Sequence, residues 1–223
     1  KKIGVTINDS IDGALDDAPA GGADVFVDYT SASAVKEHVL KALSKGVNVV
    51  IGTSGLTADD FHEIEKAAQK NNLGVIACGN FSITAALAKR FAVMAAEHLS
   101  HWEIIDYASA KKIDLPSGTT QELAEELSRV KSNRLGRPLH ELHGPKEARG
   151  AQVAGTPVHS VRLPGYTIAF ETIFGLPNER LTIRHDAGTG AEPYVDGTLL
   201  AIRRVASVKG LLRGLDNLLF QKS

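Results

Sequence analysis

The chain has 223 residues, 43% of them hydrophobic, and a formal net charge of −1. That length supports a sizeable core in one large domain or two small ones. The near-neutral balance argues against a nucleic-acid binder, whose affinity rests on phosphate neutralisation.

The chain opens KKIGVTINDS without a Met, so a preceding N-terminal segment is expected. A sheet that opened on IGVTI (Ile3 to Ile7) would lack the strands that usually complete a dinucleotide-binding fold. The Val-rich run Ala23 to Thr30 predicts a strand. Val35, Val39, Leu40 and Leu43 then recur at helical spacing, with Gly46 as a stop signal. VNVVIGTSG is a buried-type strand ending in a small turn. A helix follows, with Thr57 as N-cap and acidic residues in its first turn. LGVIACGNFS is another buried strand, and the Ala-rich ITAALAKRFAVMAAEHLS another helix. Strands without in/out alternation, separated by helices, indicate a parallel sheet covered on both faces.

WEIIDYASA reads as a strand and TQELAEELSRV as a helix. Lys131 to Gly155 is polar and rich in Gly and Pro, and reads as a long mobile loop. Residues 156–187 alternate as antiparallel strands do, with turns at Leu163-Pro164-Gly165 and Leu176-Pro177-Asn178. YVDGTLLAIRRVASV and GLLRGLDNLL read as a helical end that returns to the first domain. No run of about 18 apolar residues occurs, so no membrane span is expected, nor is a signal peptide. Cys78 is the only cysteine, which leaves no internal disulfide and fits a reducing, cytoplasmic setting.

Ligands of open parallel sheets sit beyond the carboxyl ends of the strands. Three strands here end in small polar turns: DYTSAS, IGTSG and CGNFS. Gly52 and Gly55 allow close backbone approach, while Thr53, Ser54, Asn80 and Ser82 offer hydrogen bonds. One such turn is a weak signal; three on successive strands favour a ligand crevice. No G-x-G-x-x-G follows an early strand, and Gly188-Thr189-Gly190 supplies only half of that pattern, late in the chain.

The segment Lys111 to Thr119, KKIDLPSGT, joins the predicted strand and helix. Pro116 biases Leu115 toward an extended conformation. Ser117 or Thr119 can cap the helix, and Gly118 lets backbone amides face an anion. Lys112 is placed at the strand end, where an ammonium could neutralise a carboxylate or donate a proton. Two readings stand open here: an ordinary capped helix beside surface lysines, or an anion site. No metal is expected, because His140 and His143 are three apart but lie in the loop without a third ligand. His38, His62, His98 and His101 read as surface, His159 and His185 as residues able to line a pocket, and Trp102 as core.

VFVDYT, VVIGTSG, GNFS, KKIDLPSGT, LTIRHDA, GTLLAIRRV and GLLRGLDNLL, in this order, resemble the blocks of the dihydrodipicolinate reductase family. The resemblance covers essentially the whole chain, and K-x-D-x-P-S-G-T is its most specific block. It implies an α/β protein. A Rossmann-like dinucleotide-binding domain, N-terminally incomplete here, would span residues 1–82 and 191–223. An α+β domain with a mixed, mostly antiparallel sheet would span 83–190, bind substrate and form a homotetramer. It implies hydride transfer from NADH or NADPH to a small cyclic dicarboxylate of diaminopimelate and lysine biosynthesis.

The resemblance also implies roles. Gly52, Thr53 and Ser54, with Gly79, Asn80, Phe81 and Ser82, would contact the cofactor. Lys112 would donate the proton, and Ser117, Gly118 and Thr119 would hold a substrate carboxylate. The family's phosphate-binding turn precedes the point where this chain begins. One departure stands out. The family carries E-x-H-H-x-x-K, whereas here Ala108 and Ser109 occupy the histidine positions. Alanine transfers no proton, and Ser109 can only hydrogen-bond a carboxylate. General acid catalysis is worth about 10²–10⁴-fold. Lys112, Lys111 or water would therefore take over, or the substrate is another cyclic imine or α-imino acid, or the protein is a catalytically weak relative.

Overall fold

The computed structural model describes residues 7–16 and 22–220. Of the opening IGVTI run only Ile7 falls within them. The chain divides into two compact units, residues 1–81 with 196–223 and residues 82–195.

In the first unit, helix α1 (Ile11–Asp16) is followed by strand β1 (Val25–Asp28), helix α2 (Val35–Ser44), β2 (Asn48–Ile51), α3 (Ala58–Lys70) and β3 (Gly74–Ala77). β1, β2 and β3 pair in parallel, in that order. The apolar, β-branched runs of β2 and β3 are buried on both faces, while edge strand β1 is half-buried up to Asp28. Val49, Ile51, Val75 and Ala77 pack against Val35, Val39 and Leu43 of α2 and Ile64 and Ala68 of α3. Val50 and Ile76, on the other face, are fully buried as well. Thr57 caps α3 through a capping box, its side chain bonded to the Asp60 amide and the Asp60 carboxylate to the Thr57 amide.

The second unit begins with α4 (Ile83–His98), β4 (Trp102–Ala108) and α5 (Gly118–Val130). Short β5 (Ala151–Val153) follows, then β6 (Thr156–Arg162), β7 (Ile168–Leu176) and β8 (Glu179–Ala187). The sheet order is β5-β6-β4-β7-β8. Only the β4–β6 pair is parallel; the other three are antiparallel. Burial alternates strictly along β4. Trp102 and Ile104 face the helices and form one core with Ala92 and Ala96 of α4, Leu123 and Leu127 of α5, and Phe170 and Phe174 of β7. Trp102 Nε1 also reaches Thr156 Oγ1 at 3.0 Å. Both turns expected in this region are present, and Asn178 takes the left-handed conformation at φ 66° between β7 and β8.

Helix α6 (Glu192–Arg204) leads through a 3-10 turn to β9 (Gly210–Arg213) and α7 (Leu215–Leu219). β9 pairs in parallel with β3. This corrects the helical reading of GLLRGLDNLL: its first four residues are the fourth strand of the first sheet. The segment read as a long loop is also structured in part. It holds two 3-10 turns and β5, Asn133 brackets both backbone groups of Trp102, and Arg149 pairs with Glu103.

Candidate functional site

β1 ends at Asp28, whose buried carboxylate accepts from the Thr30 amide at 3.1 Å, from Thr30 Oγ1 and from Thr53 Oγ1, with His38 Nδ1 at 3.2 Å. Burial pushes this carboxyl up, but the bonds from Thr53, Thr30 and His38 outweigh it and hold it below the usual carboxylate range. His38 is thus tied to the strand end rather than lying free on the surface. With Asp28 engaged, the turns after β1 and β2 form a cleft of about 240 Å³ between residues 29–32 and 52–54. Ser31 and Ser54 give it hydroxyls, while those of Thr30 and Thr53 are turned to Asp28. A Cβ at position 52 would fall 2.0 Å from the Tyr29 ring, so the approach there requires glycine. Tyr29 is fixed in turn by its hydroxyl 2.8 Å from Thr198 Oγ1 and by edge contact with Phe81.

After β3, Gly79 is exposed, Asn80 half-buried and Phe81 2% exposed. Ser82 caps α4 by accepting from the Ala85 amide. His185 Nε2 lies 3.3 Å from Ser82 Oγ and 3.1 Å from Thr84 Oγ1.

The second group of functional candidates is built on Asp106. The alternation of β4 turns this residue inward with Trp102 and Ile104, where a bare carboxylate would be costly. It is fully buried and satisfied by the Ser117 amide (3.0 Å), Ser117 Oγ (2.6 Å), Thr120 Oγ1 (3.0 Å), Ser160 Oγ (3.1 Å) and Arg162 Nη2 (2.7 Å). Burial raises its pKa, yet the bonds from Ser117 and Arg162 win and keep it ionised. The same Arg162 Nη2 donates to the Asp114 carbonyl at 2.9 Å. Ser117 is the N-cap of α5, accepting from the Thr120 amide. Its hydroxyl is taken up by Asp106 and Thr120, so its contribution is to shape the first turn.

Lys112 lies four residues past the end of β4, in the loop rather than at the strand end. Its Nζ sits 2.8 Å from Asp114 Oδ1, with about a third of each side chain exposed. The loop then crosses a cis Leu115–Pro116 peptide into α5. Gly118 is half-buried and Thr119 1% exposed. Ala108 is fully buried, and Ser109 Oγ accepts from the Lys111 amide at 3.3 Å. His159 is half-buried and bonded to Glu103 at 2.8 Å, beside a cavity of about 530 Å³ that it lines with Leu115 and Pro116.

A parallel sheet with a cleft at its strand ends, followed by a mixed-sheet unit, is an α/β architecture of the Rossmann-like class. A family model described as dihydrodipicolinate reductase, N-terminus, matches residues 1–81, and one described as dihydrodipicolinate reductase, C-terminus, matches residues 81–219. The 4-hydroxy-tetrahydrodipicolinate reductase of Carboxydothermus hydrogenoformans is 38% identical over 219 residues, 98% of this chain and 81% of that one. The protein of the same name from Geobacillus kaustophilus is 39% identical over 197 residues, 88% of this chain and 74% of that one. Among solved structures, the dipicolinate-bound dihydrodipicolinate reductase from Paenisporosarcina sp. TG-14 superposes with a TM-score of 0.72 at 37% identity, over 87% of this chain and 73% of that one. The chain belongs to the dihydrodipicolinate reductase family.

Proposed function

We propose that the chain reduces 4-hydroxy-tetrahydrodipicolinate to tetrahydrodipicolinate, a step of diaminopimelate and lysine biosynthesis. The hydroxyl and a neighbouring ring proton leave as water, and one hydride and one proton add to the double bond so formed. NADH or NADPH supplies the hydride when bound. Gly52, Thr53 and Ser54 line its cleft, joined by Gly79, Asn80, Phe81 and Ser82. The observation that carries the reading is the Lys112-to-Thr119 turn, with an ammonium at one end and a helix start at the other. The first amides of a helix lack intrahelical acceptors and favour an anion. Gly118 and Thr119 bind one substrate carboxylate through these amides, with Ser117 shaping the turn and Ser109 offering a hydroxyl. Lys112, held by Asp114, donates the proton to the ring. The protein works as a homotetramer in the cytoplasm. The half-buried outward residues Ile105, Tyr107 and Ile173 of the mixed sheet support an assembled face.

A second reading, reduction of another cyclic imine or α-imino acid, is favoured by one observation. The buried Ala108 and the turn-bound Ser109 offer no titrating group where the family carries histidines.

Lys112→Ala tests the assignment. Turnover of 4-hydroxy-tetrahydrodipicolinate should fall about 10²-fold or more, with the Kd for NADH or NADPH unchanged. An unchanged kcat removes Lys112 from the reaction.

A further inference from the structure

Lys112 and the Gly118–Thr119 amides are six residues apart, and their separation decides whether one substrate can meet both. The loop between them has little packing of its own: Ile113 is 98% exposed and Leu115 70%. Something else must fix its ends.

The register of the mixed sheet identifies the anchor. β4 and β6 run in parallel, with Ile104 beside Val158, Asp106 beside Ser160 and Ala108 beside Arg162. Ile104 and Val158 belong to the core under α4 and α5. Period-two alternation therefore puts Asp106, Ser160, Ala108 and Arg162 on that same face, at its carboxyl end. Ala108 has no atoms beyond Cβ, and the Arg162 guanidinium extends alongside it to Asp106 Oδ2 and the Asp114 carbonyl.

We propose that Asp106 and Arg162 are positioning residues that set the distance between the Lys112 ammonium and the α5 amides; this rests on the substrate reading of that turn. Asp106 holds the amide end through the Ser117 amide, Ser117 Oγ and Thr120 Oγ1. Arg162 holds the ammonium end at the Asp114 carbonyl, and the Asp114 carboxylate holds Lys112. The two ends meet in the Asp106–Arg162 ion pair at 2.7 Å, which is 15% exposed on the arginine side and fully buried on the other. Arginine suits this place because its planar fork presents several donors in fixed directions. A lysine ammonium can keep the charge pair but has no such fork. Misplacement of reacting groups by about 1 Å can cost about 10²-fold, so a loosened brace should appear in catalysis before it appears in folding.

The experiment compares wild type, Arg162→Lys and Lys112→Ala in the full chain, using steady-state kinetics and titration with dipicolinate as a dicarboxylate probe. Arg162→Lys should lower kcat about tenfold and weaken dipicolinate several-fold, with an unchanged NADH or NADPH Kd and a Tm close to wild type. The loss should fall on kcat and on dipicolinate affinity while the cofactor KM stays at its wild-type value, a split that a merely structural weakening would not produce. Wild-type kcat and dipicolinate affinity in Arg162→Lys, with Lys112→Ala inactive, would overturn the positioning role while leaving the substrate reading intact. A fully active Lys112→Ala would instead overturn the substrate reading, and the brace with it. Should Arg162→Lys fail to fold, Thr120→Val removes one Asp106 donor and keeps the charge pair. It should lower kcat/KM several-fold, and a wild-type value would overturn the proposal.

Discussion

At His185, burial outweighs the neighbouring Asp186 carboxylate and pulls the imidazole pKa below its ordinary value. The N-terminus of α4, which Ser82 caps, adds partial positive charge that also opposes protonation. An unfolded histidine titrates near about 6.5. Below that pH the unfolded chain binds a proton that the folded chain refuses, so stability is complete above about pH 6.5 and falls as pH drops toward the lowered folded value. Asp106 and Asp28, both held below the usual carboxylate range, have the same sign in a lower window. Their contribution is complete above about pH 4 and is lost as pH falls through their folded values. A loss between pH 7.5 and 5.5 therefore does not come from these two carboxylates, and replacing His185 tests its share. The urea midpoint of wild type should fall over that interval, and that of His185→Gln should fall less. Equal slopes would contradict the assignment. Lys112, Gly118 and Thr119 were candidates in the sequence because their motif is local. Asp106 and Arg162 were not, because the pair joins residues 56 apart. The available hint was the carboxylate at an inward position of the Trp102, Ile104, Asp106 alternation.

Among the elements, α2 to α5 could be read directly from apolar spacing and caps, since a helix buries one stripe against its sheet. β9 could not. GLLRGLDNLL carries leucines at spacings that suit a helix, and only the partner β3, distant in sequence, makes its first residues a strand. β5 is three residues long in a Gly/Pro-rich stretch and owes its existence to the edge of β6. Two substitutions probe how the elements meet. Thr57→Ala breaks the α3 capping box and should cost about 1 kcal/mol in chemical denaturation. Gly197→Ala in α6 would place its Cβ 1.9 Å from the Phe81 carbonyl oxygen, a backbone atom that cannot swing aside. It should cost about 1–3 kcal/mol or more and weaken NADH or NADPH binding, as the strain falls on the Gly79-to-Ser82 block. Unchanged denaturant and cofactor midpoints would show that the backbone accommodates the methyl group.

For the whole molecule, the absence of alternation in the early strands indicated a parallel sheet, and its presence in the late ones a mostly antiparallel sheet; both are found. The sequence could not reveal the parallel pairing of β4 with β6, which brings Asp106 and Arg162 together. The proposed chemistry rests on the cleft at the strand ends of one unit and on the Lys112-to-Thr119 turn of the other. In that proposal Ala108 and Ser109 leave proton donation to Lys112. The most direct test is cofactor oxidation by the purified full-length protein given enzymatically generated 4-hydroxy-tetrahydrodipicolinate, with a histidine-containing relative in parallel. The account predicts substrate-dependent loss of NADH or NADPH absorbance with tetrahydrodipicolinate as product. No oxidation with either cofactor, while the relative is active, would contradict it.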